Sequence, residues 1–234
     1  MNKISIVIPV LNEEKHIGKL LVHLNENSSK SNISDIIIVD GGSEDNTCMT
    51  IKYMQTIYTN IQLLNSEKGR AKQMNLGAKQ ASGNILYFLH ADSFPPQHFD
   101  ELIISEVKKG NKAGCFRMQF DSNHWWLRLA SWLTQFSWRA CRGGDQSQFI
   151  SRELFNDIRG YNENYIIYED NILINELYTR KEFVVINKKI STSARLYKKH
   201  GIWKLQYHFW TIYIKKWFGA SADELFTYYK KYIN

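Results

Sequence analysis

The first half of the chain alternates short apolar runs with longer stretches in which apolar residues recur every three or four positions. Runs at residues 4–9, 35–40, 61–65 and 84–90 predict strands. Ile36-Ile37-Ile38-Val39 is apolar at consecutive positions, so both sides of that strand meet core, as in a parallel sheet covered on both faces. Helical spacing covers residues 13–29, 44–58 and 70–81. The order β-α-β-α-β-α-β predicts an α/β, doubly wound, Rossmann-like sheet, mostly parallel and flanked by helices. In such sheets ligands lie at the carboxyl ends of the strands, where strand order reverses.

The second half reads differently. Phe116, Met118 and Phe120 alternate with Arg117 and Gln119, which predicts a half-exposed strand. A tryptophan-rich helical segment over 124–142 follows, then a Gly-Gly-Asp-Gln turn, a strand near 148–150 and a short helix after Ser151. A helix starts near Tyr168, a strand covers 183–186, and helices at 202–218 and 222–232 close the chain, the last with Ser221 as N-cap. No domain break is required. The reading is one domain over 1–200, with a nucleotide-binding half to about 112 and an acceptor half over 113–200, and a helical extension over 201–234.

With 234 residues, 44% of them hydrophobic, the composition is that of a globular chain. No stretch reaches the roughly 18 apolar residues of a membrane span. The run from Ile4 to Val10 is interrupted too soon by Asn12-Glu13-Glu14 for a signal peptide, and reads as a core strand. Cys48, Cys115 and Cys141 form an odd set without metal spacing, which suggests reduced thiols and a cytoplasmic location. The net charge of +7 is concentrated: residues 183–222 hold eight Lys/Arg and no Asp/Glu.

The predicted strand ends are polar. The first runs into Pro9-Val10-Leu11-Asn12-Glu13, the second ends in Asp40-Gly41-Gly42-Ser43, the fourth in His90-Ala91-Asp92. Asp40 before two glycines suits a tight turn close to a ligand, or a cap on the helix from Glu44, for which Ser43 is the better candidate. Arg70 opens a helix whose N-terminus favours an anion. Asp92, after the most apolar strand, is costly to bury without a partner, and a divalent cation on a diphosphate would be one. Dinucleotide and Walker motifs are absent from the sequence.

Taken in order, Ser5-Ile6-Val7-Ile8-Pro9 with Asn12-Glu13-Glu14, Val39-Asp40-Gly41-Gly42-Ser43, Gly69-Arg70 with Gln73-Met74-Asn75-Leu76-Gly77-Ala78, and Phe88-Leu89-His90-Ala91-Asp92 resemble family 2 glycosyltransferases of the GT-A fold. Gly144-Asp145-Gln146, Arg159-Gly160-Tyr161 and Glu169-Asp170 continue the resemblance. The spacing is similar to a small bacterial subgroup labelled radical-SAM/selenodomain-associated transferases. The resemblance implies a nucleotide-diphosphate-sugar donor, a divalent metal (Mn or Mg) and an inverting transfer. It implies a donor pocket from Pro9, Asn12, Glu13, Asp40, Gly41, Asn75 and Ala91, with Arg70 and Arg195 near base or diphosphate. It implies Asp92 as metal contact, Asp145 and Gln146 on the acceptor side, and Asp170 as catalytic base beside Glu169. His90 stands where the family's D-x-D motif has its first aspartate; imidazole suits Mn²⁺ better than Mg²⁺, or supports the pocket instead.

On the helix from Trp203, Trp203, Tyr207, Trp210, Ile214 and Trp217 fall on one face, flanked by Lys204, Lys215 and Lys216. Basic helices with such a face lie at membrane interfaces; the same residues would also serve as second-layer packing, as an oligomer contact or as a sugar-stacking groove. The acceptor is accordingly a sugar, a lipid or a lipid-linked carrier. A nucleotidyltransferase and a non-catalytic membrane-surface or nucleotide-sugar binder remain the competing classes; no nucleic-acid motif is present.

Overall fold

The computed structural model describes residues 2–233. In chain order the elements are β1 (Ile4–Val10), α1 (Ile17–Glu26), β2 (Ile33–Asp40), α2 (Thr47–Ile57), β3 (Ile61–Asn65), α3 (Arg70–Gln80), β4 (Ile85–Phe88), β5 (Ser93–Phe94) and α4 (Phe99–Lys108). There follow β6 (Ala113–Phe120), α5 (Trp125–Leu133), β7 (Gln148–Ser151), α6 (Arg152–Asp157), α7 (Glu169–Thr179), β8 (Val184–Thr192), α8 (Arg195–His200), α9 (Ile202–Trp217) and α10 (Ala222–Tyr232). One eight-stranded sheet runs β3-β2-β1-β4-β7-β6-β8-β5. The strands β3, β2, β1 and β4 are parallel; β7 lies antiparallel to both its neighbours, and β6 pairs in parallel with β8. Strand order therefore reverses between β1 and β4.

Consecutive apolar residues are divided between two cores. Ile4, Ile6 and Ile8 of β1 pack with Ile36 and Ile38 of β2 under α1, α2 and α4. Val7, Ile37 and Val39 face the other way, against Ala71, Met74 and Ala78 of α3 and Leu173 and Leu177 of α7. Burial on both faces is what a parallel sheet demands. Gly77 allows the close approach of α3 to the sheet, since a Cβ there would lie 2.4 Å from Val7 Cγ1.

Three expectations need correction, and one helix was not expected. The helix expected over 124–142 stops at Leu133. There Thr134 turns its hydroxyl to accept the Met118 N–H of β6, and Arg142 donates to the carbonyls of Thr134 and Phe136, so the helix end is capped from elsewhere in the fold. The strand expected over 183–186 continues to Thr192, because β6 pairs along it across a bulge that absorbs the polar Asn187-Lys188-Lys189 step. The helix α2 begins at Thr47 rather than Glu44. The helix α4, not anticipated, packs Phe99, Ile103 and Ile104 inward. Ser221, by contrast, caps α10 in a full capping box with Glu224, as expected.

The aromatic face of α9 settles one choice left open by the sequence. Its buried residues are Leu205, His208 and Ile212, against α10 and the 165–168 segment. The stripe Trp203, Tyr207, Trp210, Ile214 and Trp217 is 47–84% exposed, so it is not second-layer packing.

Candidate functional site

The loops after β1 and β2 are tied together at the carboxyl edge of the sheet. The Asn12 N–H donates to Ser43 Oγ at 2.9 Å, and Asn12 Oδ1 accepts the Glu44 N–H at 2.9 Å. The Glu13 N–H donates to Thr47 Oγ1 at 2.7 Å. Asp40 is buried, with its carboxylate accepting the N–H groups of Gly42 and Ser43 at 3.0 Å each, and the Ser43 hydroxyl. Ser43 thus closes the turn after β2 instead of capping α2. Behind this turn Gln73 Nε2 donates to the carbonyls of Val10 and Val39, at 2.9 and 2.7 Å. Gly41 leaves room for that amide, since a Cβ would sit 3.1 Å from it. Pro9 and Ala91 are buried at the same edge, leaving backbone as their contribution.

Charged groups from distant segments converge here. Arg195, the first residue of α8, grips both oxygens of Glu13, with Nη1 2.8 Å from Oε2, and its Nε lies 3.2 Å from Asp92 Oδ2. Arg70 Nη1 is 3.5 Å from Glu169 Oε1, and His90 Nδ1 is 3.6 Å from Asp145 Oδ1. Burial pushes Asp92 above the usual carboxylate range, against the pull of Arg195 and His90. Burial, reinforced by Asp170, pushes Glu169 up to about 7 while Arg70 opposes the rise. Asp170 is also raised by burial, with His90 and Arg70 opposing. Loss of some of its water works against the charge of Asp145, whose side chain is still 57% exposed, but His90, Arg70 and Arg195 outweigh it and hold the carboxyl below its usual range. Burial disfavours a charged His90 too, yet Asp145 and Asp170 prevail and raise it.

Three non-glycine residues at positive φ flank these carboxylates: Asn12 (56°) before Glu13, Ser147 (59°) after Asp145-Gln146, and Tyr168 (70°) before Glu169-Asp170. An aromatic residue in the left-handed region is uncommon, and such strain concentrates where geometry serves a site.

The family model of glycosyl transferase family 2 matches residues 5–187, a span that includes every one of these groups except Arg195. The chain belongs to glycosyl transferase family 2. Over 106 residues it is 32% identical to Glycosyltransferase AglE of Haloferax volcanii, covering 44% of this chain and 35% of that protein. Over 136 residues it is 29% identical to the undecaprenyl-phosphate 4-deoxy-4-formamido-L-arabinose transferase of Proteus mirabilis, covering 56% and 41%. The chain thus spans well under half the length of these relatives. The mannosyltransferase PcManGT of Pyrobaculum calidifontis, solved with GDP-Man and Mn²⁺, superposes with a TM-score of 0.69 at 16% identity, over 90% of this chain and 60% of that one. The fold is GT-A.

Within this family 2 fold, two residues expected at the site are turned elsewhere. Gln146 is buried, and its Oε1 accepts from Arg142 Nη1 at 2.6 Å and from the Cys115 thiol at 3.3 Å; its side chain is not presented to an acceptor. Asn75 clasps the backbone of Tyr161 in both directions, at 2.9 Å each, and donates to Glu163, so it pins the 160–163 loop rather than joining the charged cluster. Arg142, which sequence reasoning passed over, is buried and donates to Gln146 and to three carbonyls, those of Thr134, Phe136 and Trp138; it holds the loop that carries Asp145. No local pattern marks such an arginine, because all its partners are set by the fold.

Among the described residues no three His, Cys, Asp or Glu side chains converge as metal ligands. Asp92 nevertheless fits a cation whose other ligands are phosphate oxygens: burial disfavours its charge, and a divalent ion would restore it. His90 has Asp145 as its partner, which fits support of the pocket.

Proposed function

We propose that the chain transfers a sugar from a nucleotide-diphosphate donor to a hydroxyl or phosphate of a lipid or lipid-linked acceptor, or of a sugar. The carrying observation is the gathering of Asp92 and Arg195 with the buried Glu169 and the half-buried Asp170 where strand order reverses. Family membership supports a glycosyl transfer. The donor in the PcManGT structure and the undecaprenyl-phosphate in the Proteus relative's name support the donor and acceptor classes. In this reading residues 1–200 form the transferase domain and 201–234 an amphipathic extension. The His-Ala-Asp sequence at 90–92 supports placing the chain in the radical-SAM/selenodomain-associated subgroup.

Pro9, Asn12, Glu13, Asp40 and Gly41 wall the nucleotide, with Ala91 beside them and Asn75 holding the neighbouring loop. As the acceptor oxygen bonds to the anomeric carbon, the bond from that carbon to the diphosphate breaks and its electron pair leaves with the phosphate. Arg70 and Arg195 offset the charge that develops there, more in the transition state than before it. The acceptor's proton, where it is a hydroxyl, passes to Asp170, which burial makes more basic than an exposed carboxylate. A single displacement inverts the anomeric centre. A divalent cation held by Asp92 would supply further charge neutralisation on the diphosphate. Asp145, kept ionised by His90, faces the acceptor side. Three free cysteines support a cytoplasmic location, and the exposed aromatic helix supports peripheral contact with the inner face of the membrane.

A panel of nucleotide sugars, each with Mn²⁺, Mg²⁺ or chelator, tests the reading by thermal shift. One donor stabilising the chain only with metal is the expected result, with free nucleoside diphosphate as product. Pyrophosphate as product would instead mark a nucleotidyltransferase. Asp170→Asn should bind donor normally and slow transfer on the order of 10²–10⁴-fold; full-rate transfer would remove Asp170 as base.

A further inference from the structure

The exposed face of α9 is a built surface. Trp126 of α5 is half-buried beneath it, donating Nε1 to Gln206 Oε1 at 3.1 Å. Its ring lies 5.3 Å from Trp203 and 5.9 Å from Trp210, and Trp125 lies 5.8 Å from Trp203. The indoles therefore hold one another in place across two helices. Trp217 and Phe218, at the far end, are 84% and 81% exposed. So much contiguous aromatic surface in water is unusual for a chain without a partner.

The charge of the segment says what covers it. Of the eight Lys/Arg in residues 183–222, a stretch without Asp or Glu, Arg195 pairs with Glu13 and Asp92 and Lys198 with Asp121, while Lys199 near the end of α8 and Lys204 beside Trp203 on α9 stand exposed. A twofold contact with a second copy would set these lysines against themselves with no carboxylate from the segment to pair them. Anionic headgroups meet both demands, since Trp and Tyr rings settle at the headgroup level and lysines bind the phosphates.

We propose that this ridge, Trp125 with Trp203, Tyr207, Trp210, Trp217 and Phe218, seats the protein on an anionic lipid bilayer. It rests on the lipid-linked acceptor reading only for its purpose. Helix α9 and the α8 that precedes it border the charged site: Arg195 at the start of α8 pairs with Asp92, and the Tyr213 ring of α9 lies 5.3 Å from Tyr168, the residue before Glu169-Asp170.

Co-sedimentation with vesicles of phosphatidylcholine, with and without phosphatidylglycerol, tests this on the full chain. Binding should require phosphatidylglycerol, weaken with added salt and blue-shift the tryptophan emission. Trp217→Ala with Phe218→Ala, and separately Lys199→Glu with Lys204→Glu, should each lower partitioning about tenfold. All four side chains are exposed, so both variants should melt as the parent does. Absence of vesicle binding, unchanged binding by both variants, or a dimer in the ultracentrifuge that the Trp217/Phe218 variant dissolves would each overturn the proposal. Nucleotide-sugar stabilisation in solution should be the same in parent and variants; its absence throughout, with vesicle binding intact, would count against the transferase reading and leave the docking surface standing.

Discussion

Replacing Glu169 by glutamine separates a charge from its volume. Glu169 is 1% exposed and opens α7 beside Asp170, with Arg70, 3.5 Å away, as its cation in contact. Its carboxyl titrates near 4.5 in the unfolded chain and is pushed up to about 7 in the fold. Below pH 4.5 both states are protonated and the charge costs nothing. Between 4.5 and 7 the unfolded chain ionises first, so stability is lost as pH rises; above 7 the loss is complete. A tenfold change in acidity is about 1.4 kcal/mol, so the full loss is about 3 kcal/mol. Glutamine escapes it. Urea unfolding of parent and Glu169→Gln from pH 4 to 9 should show a gap that opens with pH, reaches about 2–3 kcal/mol and then stays level. A gap that does not vary between pH 5 and 8 would refute the account of a charge buried at a cost.

Asp92→Ala should abolish whatever part of donor stabilisation depends on metal, read by calorimetry with and without chelator, while donor binding in chelator stays as in the parent. Arg142→Ala strands Gln146 Oε1 and the Thr134 and Phe136 carbonyls, and should cost about 3 kcal/mol in urea unfolding. Gly77→Ala, favourable for an isolated helix, should destabilise by about 1–3 kcal/mol, because its Cβ would meet Val7 Cγ1 at 2.4 Å; the melting temperature should fall by about 3 °C per kcal/mol.

What the chain spells out locally was legible before any coordinates. Consecutive apolar residues at 36–39 announce a strand buried on both faces, and Ser221 with Glu224 announces a capped helix, because both signals lie within a few residues. The polar groups ending β1, β2 and β4 were legible at one edge of the sheet for the same reason. Pairings between segments were not legible. Arg70 meets Glu169 across 99 positions and Arg195 meets Glu13 across 182, and Gln146 turns inward only because Arg142 and Cys115 await it. Length was likewise a tertiary matter where α5 stops at a hydroxyl claimed by β6 and β8 runs on because β6 pairs with it. The aromatic stripe of α9 shows the division most sharply. Periodicity places five large side chains on one helical face, but the same period serves a core, an oligomer or a bilayer. Only the packing of Leu205, His208 and Ile212 on the opposite side decided that the stripe faces outward.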